Sequence, residues 1–468
     1  MKIRNILPIF VLCALCLFGC ANAPDTPTEA PADALTLYEA ALAPIRSTSN
    51  LILNISYDLQ RQAGEEIFAD SITAAVTYSN LGSADMEAFA EQKCRFGSYD
   101  VTYAELYTGG SAYCQSGTNI FGCPMTAKEF MDRQMPAILL TPSLYGSVTK
   151  ETTENRILIR FSEASAPESW WDSAYSELLS ATGTATLDLQ GNLLQSAYRA
   201  QYRIGQTEYS LQVTSKVATP TTLDLSEKFP AEIASCSIIS DFDAVKVLLQ
   251  ATGYIRSAQA ITCDYNEHLD FPAASILRQQ QITVNMCGSG DSFIARTDYN
   301  GSITDNTGKP TVTHQTELFR DGIKTVSING STPITQPGAT AEAMSSYCQN
   351  SILSALFPVS FLQSSRWEDG NTTTCTIHFT GTDALADTLC ANIYEGLQTG
   401  NLDSFCESYR TNDISGYLTL DRATGLPVRA GLSISRTHII GGISYDLTYR
   451  ISSDMLLASS AAYDAING

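Results

Sequence analysis

The four histidines of this 468-residue chain, which could bind metal or transfer protons, all lie in its second half. They are His268, His314, His378 and His438. Imidazole is a common metal ligand and acid–base group. The chain has no His-x-His or His-x-x-x-His spacing, and it lacks the His-Glu-x-x-His motif. The sequence therefore predicts no metal site, and we interpret the histidines as sheet or surface residues.

Nucleophilic and carboxylate chemistry has little support either. Gly-x-Ser-x-Gly is absent, and the segment 288–291 (Gly-Ser-Gly-Asp) is interpreted as a turn between strands. Asp188 and Asp421 stand at equivalent places, and paired carboxylates cleave glycosidic bonds. Each precedes a glycine-containing turn, however, where Asp favours backbone bonding. The sequence predicts no catalytic residue and no cofactor, so we expect a protein that is not an enzyme.

The first twenty residues indicate where the chain is delivered. Lys2 and Arg4 precede an apolar run over 6–18, which ends in Gly19 and Cys20. A basic start and a short apolar core are typical of a signal peptide, and the run falls short of the ~20 residues that span a bilayer. The end of the run resembles the lipobox of bacterial lipoproteins. That resemblance implies cleavage before Cys20 and attachment of a lipid such as palmitate to it; an ordinary secretory signal cut elsewhere is the alternative.

Residues 20–33 predict a tether, because they are rich in Pro, Thr, Asp and Glu and contain no aromatic residue. We therefore expect a signal peptide over 1–19, a lipidated tether over 20–33, and a chain held at the extracytoplasmic face of the cell membrane. The net charge of −21 makes nucleic acid and anionic headgroups poor partners. The sequence indicates no protein partner.

Two halves of the chain share a pattern of elements. Ile45-Arg46-Ser47 recurs as Ile255-Arg256-Ser257, and each copy ends a helical pattern. Asp33 and Asp241 stand where helix N-caps belong. Both helices precede a strand of alternating residues, which predicts one dry and one wet sheet face. The dry-side positions are Leu35, Tyr38, Leu42 and Ile45 on the first helix, Phe242, Val245, Leu249 and Ile255 on the second, Leu51, Leu53, Ile55, Tyr57 and Leu59 on the first strand, and Ile261, Cys263, Tyr265, Glu267 and Leu269 on the second.

The correspondence continues to the end of each half. Helices are predicted over Ser169–Leu179 and Asp383–Leu397, and hairpin strands with glycine turns follow both. Closing strands contain Tyr209 and Tyr445 at matching places. An ordered series of this kind indicates a duplication. We expect a first domain over 34–230 and a second over 231–468.

The element order within each copy is a helix, a meander of strands, a pair of helices and further strands. It resembles the exported lipid-carrier superfamily of LolA, LppX and LprG type. The resemblance implies an α+β fold of two tandem domains, each a curved antiparallel half-barrel sheet wrapping helices on its concave face. It also implies a cleft for acyl chains, although the protein's own side chains could fill the same space. The candidate apolar lining is Leu53, Tyr57, Phe161, Leu211, Cys263, Tyr265, Phe379, Leu447 and Tyr449.

The cysteines of an exported chain permit disulfides. Cys114 and Cys123 are joined by a short glycine-containing loop. Cys263 and Cys287 lie on consecutive predicted strands, about equally far from the turn between them. Both pairs are therefore predicted as disulfides.

Together these patterns predict a membrane-anchored extracytoplasmic lipoprotein that binds a lipid or other apolar ligand without catalysis. The alternative is a structural or interaction lipoprotein of the cell envelope, with self-filled cores and no small ligand. A roomy apolar cavity would favour the first hypothesis, and filled interiors would favour the second.

Overall fold

The computed structural model describes residues 33–64, 66–134, 140–168, 176–239, 241–304, 308–368, 373–397, 402–404 and 406–467. The chain divides into two compact units, the first ending at Ile238 and the second beginning at Ile239. A two-domain architecture therefore fits, with a division slightly after the predicted boundary. The predicted signal peptide, Cys20 and all of the tether except Asp33 lie outside the described residues. Among the helices described, none is both long and apolar enough to cross a bilayer.

The first unit is built on one sheet of twelve strands, in the order β12-β6-β5-β4-β3-β2-β1-β11-β10-β9-β8-β7. Neighbouring strands are antiparallel except β12, which pairs in parallel with β6. Its helices are α1 (Ala34–Ser47) and α2 (Ala127–Gln134), and its strands are β1 (Leu51–Ala63), β2 (Glu66–Ser79), β3 (Glu87–Phe96), β4 (Tyr99–Thr108), β5 (Ser111–Ser116), β6 (Asn119–Pro124), β7 (Tyr145–Thr152), β8 (Ile157–Ala164), β9 (Glu177–Leu187), β10 (Leu193–Ile204), β11 (Thr207–Ala218) and β12 (Ser237–Ile238).

The second unit repeats this plan with eleven strands, in the order β18-β17-β16-β15-β14-β13-β23-β22-β21-β20-β19. At the middle of each sheet the first strand of the unit lies beside a strand from late in the same unit: β1 pairs with β11, and β13 pairs with β23. The helices are α3 (Phe242–Ser257), α4 (Ala341–Leu353), α5 (Asp383–Leu397) and α6 (Ser459–Asn467), and the strands are β13 (Ala260–Phe271), β14 (Ile276–Cys287), β15 (Ile294–Thr304), β16 (Pro310–Arg320), β17 (Ile323–Ile328), β18 (Ile334–Gln336), β19 (Leu362–Glu368), β20 (Thr374–Gly381), β21 (Ser408–Asp421), β22 (Pro427–Ile440) and β23 (Ile443–Leu456).

The first helix of each unit begins at its predicted cap. The Asp33 carboxylate accepts a hydrogen bond from the Thr36 amide, and that of Asp241 accepts one from the Asp243 amide. These bonds satisfy amides that would otherwise lack a partner at the helix start. The predicted buried stripe of α1 is wrong at Leu35, which is 43% exposed. Ala41 takes its place in the buried stripe.

Alternation along the central strands is confirmed. All five predicted dry-side residues of β1 are buried, and on β13 only Glu267 among the five is half-buried. We call this side of each sheet the apolar face and the opposite side the polar face. Helix α5 contacts β21 and β22, and its buried Tyr394 also contacts Phe271, an apolar-face residue at the end of β13. Strands outnumber helices throughout the described chain, so the fold is mostly β.

The helix predicted over Ser169–Leu179 is wrong at its C-terminal end. Its last residues, Glu177–Leu179, instead begin strand β9, and residues 169–175 lie outside the described part. The matching helix in the second unit, α5, has the predicted bounds. The two hairpins that follow these regions turn at Gly191 and Gly425, both with positive φ.

The structure also corrects both predicted disulfides, because every cysteine it describes carries a thiol. Cys263 lies opposite Val284, and Cys287 lies opposite Ala260, so the two are out of register. Cys114 lies opposite Phe121, which makes Cys123 a diagonal neighbour. Diagonal Cα atoms are roughly 7–8 Å apart, beyond the usual disulfide span.

A candidate polar binding cleft

The second unit contains a cleft of about 1010 Å³ on the polar face of its sheet. Nine strands contribute to the lining, from β13 to β16 and from β19 to β23. Neighbouring strands lie about 4.8 Å apart, so nine strands in a flat sheet would extend across roughly 40 Å. They border one cleft because this face of the sheet curves around it.

Strand register arranges the lining side chains in two rows that run across the strands. The first row passes from β16 to β19 through Val312, Ser302, Gln279, His268, Arg450, Ser433, Ser415, Thr380 and Ser364. The second row is His314, Asn300, Gln281, Asn266, Ser452, Gly431, Tyr417, His378 and Arg366. Each residue faces its neighbours in the row across a ladder of backbone hydrogen bonds, which fixes the spacing of the side chains.

The two rows contain arginine and histidine but no aspartate or glutamate. The chain as a whole has 49 acidic residues against 28 Lys and Arg, so this composition departs from the average. Carboxylates occupy the next row on the same face, which contains Asp298, Asp264, Asp454 and Glu368. Glu267 also borders the cleft, but its side chain lies on the apolar face and forms an ion pair with Arg278. The cleft is therefore a cationic band on an acidic protein.

The charged side chains of the cleft differ in their partners. Within the described residues, neither Arg366 nor Arg450 forms an ion pair. His378 Nε2 lies 2.6 Å from a carboxylate oxygen of Glu368, at the edge of the cleft. His314 Nδ1 lies 2.6 Å from the side-chain oxygen of Asn300. The two arginines are thus the strongest donors that the protein itself leaves available.

Three of the four histidines, His268, His314 and His378, belong to this cleft. The prediction that they are sheet residues is confirmed, because they lie in β13, β16 and β20. Their convergence on one cleft depends on the order of the strands in the sheet, which the sequence does not reveal. No group of three or more His, Cys, Asp or Glu positioned for a metal occurs in the described part of the chain. Hydrogen bonding and charge are what the cleft offers.

The first unit has a smaller cleft, of about 370 Å³, on the corresponding face. It is lined by residues of β11, β1, β2 and β3, which match β23, β13, β14 and β15 in sheet order. Its charged residues are Lys93, Lys216 and Glu91, and Lys93 pairs with Glu91. Both units thus have a cleft on the polar face, and the larger of the two belongs to the second unit.

The residues predicted to line an apolar cavity lie elsewhere. Eight of the nine are buried at 8% exposure or less, and Tyr449 is half-buried. Only Phe379 among them borders the cleft. Tight aromatic contacts such as Tyr38 against Phe161, with ring centroids 5.0 Å apart, fill the apolar side of the first unit. At these positions the protein's own side chains occupy the predicted binding space.

The fourth histidine, His438, belongs to a separate buried network on the apolar face. Its Nε2 lies 2.8 Å from the Tyr394 hydroxyl and 2.9 Å from an Asp403 oxygen. The fully buried Arg436 forms ion pairs with Asp403 and Asp387. Arg436 also lies 4.7 Å from the ring centre of Tyr409, a cation–π contact. This network fastens α5 to β22, and sequence spacing gave no sign of it.

Burial also determines the ionisation of Cys390, a cysteine of α5 beside this network. Removal from water raises the pKa of the Cys390 thiol to about 11. A thiol with such a pKa is protonated at neutral pH, and the protonated form is a poor nucleophile. Cys390 is therefore not a reactive nucleophile, although it lies beside Tyr394 and Arg436 of this network.

The two turn carboxylates behave as predicted. Asp188 accepts hydrogen bonds from the backbone and side-chain nitrogens of Asn192, and these bonds lower its pKa. Asp421 accepts a bond from the Thr424 amide within its own hairpin. Both carboxylates serve their turns.

Comparison with known proteins gives no family assignment. No family model and no curated protein matches the chain. Among solved structures, LprF from Mycobacterium bovis is similar over 47% of this chain and 94% of its own, with 10% identity and a TM-score of 0.26. A DUF1329 family protein from Desulfovibrio piger covers 43% of this chain and 98% of its own, with 7% identity and a TM-score of 0.19. Scores below 0.5 do not establish a shared fold.

Proposed function

We propose that this protein is a non-catalytic binding protein whose second unit holds a polar ligand in the cleft between its two rows of side chains. One observation carries the proposal: eighteen residues from nine strands converge on one cleft of about 1010 Å³. This volume is at the upper end of the range of ligand sites in proteins. Amides, hydroxyls, imidazoles and guanidinium groups make up nearly all of the two rows.

The proposal also includes export of the chain and its attachment to the cell membrane through Cys20. A chain cut before Cys20 and lipidated there would hold both units outside the cell membrane, on the tether that precedes α1. A single acyl chain binds a membrane weakly, whereas two anchor it more firmly. The helix-wrapped half-barrel of the lipid-carrier superfamily stays a prediction.

The predicted lipid ligand receives less support than a polar one. The apolar face is packed at the positions proposed to hold acyl chains. The polar face instead provides the open space. The same packing favours the alternative of an envelope interaction protein with self-filled cores, which remains a second candidate.

A cleft-filling substitution tests the binding function. The full chain is screened by saturation-transfer NMR against soluble glycans, nucleotides, peptides and dispersed lipids. Ser433→Trp places an indole in the middle of the first row, and Ser444→Trp places one on the exposed part of β23, away from the lining. We expect a soluble polar ligand whose signal Ser433→Trp abolishes and Ser444→Trp retains. A screen without polar hits, or a hit that Ser433→Trp leaves intact, would contradict the proposal.

A further inference from the structure

We propose that the ligand of this cleft is an anionic glycan, a sugar chain with carboxylate or phosphate groups, whose charges Arg366 and Arg450 bind. The inference rests on the binding function proposed above. It goes further by naming the charge and the chemical class of the ligand.

The first argument is the separation of charge on the polar face. Carboxylates stand in the row beside the cleft and are absent from the two rows that line it. If the chain's 49 acidic residues were placed at random, the two lining rows would contain carboxylates as often as the adjacent row does. A concave site with one sign of charge focuses the electrostatic potential and attracts the opposite charge. An anionic ligand therefore suits the cleft despite the net charge of −21.

The second argument compares the arginines of this face. Arg429 forms an ion pair with Asp454, and Arg296 forms one with Asp298. Arg366 and Arg450, in contrast, have no ion-pair partner within the described residues. A guanidinium presents a planar set of donors that matches carboxylate and phosphate oxygens. The two arginines that border the cleft are thus available to bind a ligand.

The third argument concerns the shape and the neutral residues of the cleft. Its volume of about 1010 Å³ is far larger than a compact ion needs and suits an oligosaccharide. Asn and Gln amides both donate and accept hydrogen bonds, as sugar hydroxyls do. The half-buried ring of Tyr417 lies over Gly431, where an added Cβ would collide with a ring carbon. That ring offers an aromatic surface on which a sugar can stack.

Binding of three hexasaccharides to the full chain tests the inference by calorimetry. Hexagalacturonate carries carboxylates, a phosphorylated mannohexaose carries phosphate, and maltohexaose is neutral. We expect tighter binding of one or both anionic sugars, and the preferred one identifies the charged group. Arg366→Gln and Arg450→Gln should each weaken that binding about tenfold, the loss of one charge-assisted hydrogen bond. Arg429→Gln, on the same face but outside the lining, should leave it unchanged.

The outcomes separate the two proposals. Equal binding of all three sugars, blocked by Ser433→Trp but insensitive to Arg366→Gln and Arg450→Gln, would overturn the anionic class and leave the binding function standing. Binding of no sugar by the folded protein would overturn the anionic glycan, whereas the wider NMR screen would still decide the binding function. An equal loss with Arg429→Gln would show that overall charge acts, and would also overturn the inference. Circular dichroism melting of each variant confirms that it is folded.

Discussion

The ion pair between Arg61 and Asp70 provides a quantitative test of the packing in the first unit. The two side chains are 3% and 2% exposed, and they lie diagonally across β1 and β2 on the apolar face. Asp70→Asn keeps the shape of the side chain but removes the carboxylate that neutralises the buried guanidinium. Breaking such a pair by removing one partner costs about 3–5 kcal/mol. A unit of this size loses about 2–4 °C per kcal/mol, so we expect its melting temperature to fall by roughly 6–20 °C.

Differential scanning calorimetry of the full chain measures the effect on each unit. We expect Asp70→Asn to move one transition and to leave the other, that of the second unit, in place. The double variant Arg61→Met/Asp70→Leu removes both charges, so it should recover most of the loss. Arg160→Gln is the matched control, because its pair with Glu151 is 55% and 58% exposed and contributes at most about 1 kcal/mol. A loss below 1 kcal/mol for Asp70→Asn, or a double variant as unstable as the single one, would refute the reasoning.

Three further predictions concern the anchor, the two cores and the buried thiols. Cys20→Ser should move the chain from the membrane fraction to the soluble fraction or leave it unprocessed, and unchanged fractionation would contradict the lipobox. Leu53→Asp and Leu447→Asp each place a charge at a site with 0% exposure, and calorimetry should show each unfolding mainly its own unit. Burial raises the pKa of Cys263 to about 12 and that of Cys348 to about 11. Thiols in the unfolded chain ionise at lower pH than these buried ones. The free energy of unfolding of the second unit should therefore fall as pH rises from about 9 towards 12. Urea denaturation measures this change, and a free energy of unfolding that stays constant over that pH range would contradict the prediction.

Local patterns in the sequence predicted the elements well. Alternation along β1 and β13 identified their buried faces, and the caps at Asp33 and Asp241 marked the helix starts. These features depend on neighbours in the chain, which is why spacing reveals them. The exposed Leu35 shows the limit, because the packing of a helix decides which edge of its apolar stripe is covered.

The cleft could not be predicted, since it depends on register between strands that are distant in sequence. His268 lies beside Arg450 only because β13 pairs with β23. The register between β13 and β14 also places Cys263 away from Cys287, which is why the predicted disulfide is wrong. One sequence signal did exist, since the wet-side positions of several strands lack carboxylates in a strongly acidic chain. Its meaning appears only when the strands are laid side by side.

The pairing of β1 with β11 and of β13 with β23 has a consequence for how the protein is made. In each unit the centre of the sheet stays open until a strand from late in the unit has been made, since β11 pairs with β1 in the first sheet and β23 pairs with β13 in the second. Contacts between such distant parts of a chain form slowly. During synthesis the second unit therefore exposes bare edges of β13 and β22 until β23 has been made. A chain ending before Ile443 would keep these edges permanently, and strand edges of that kind recruit other chains. The closing residues of each unit thus control whether the newly made protein stays separate from its neighbours.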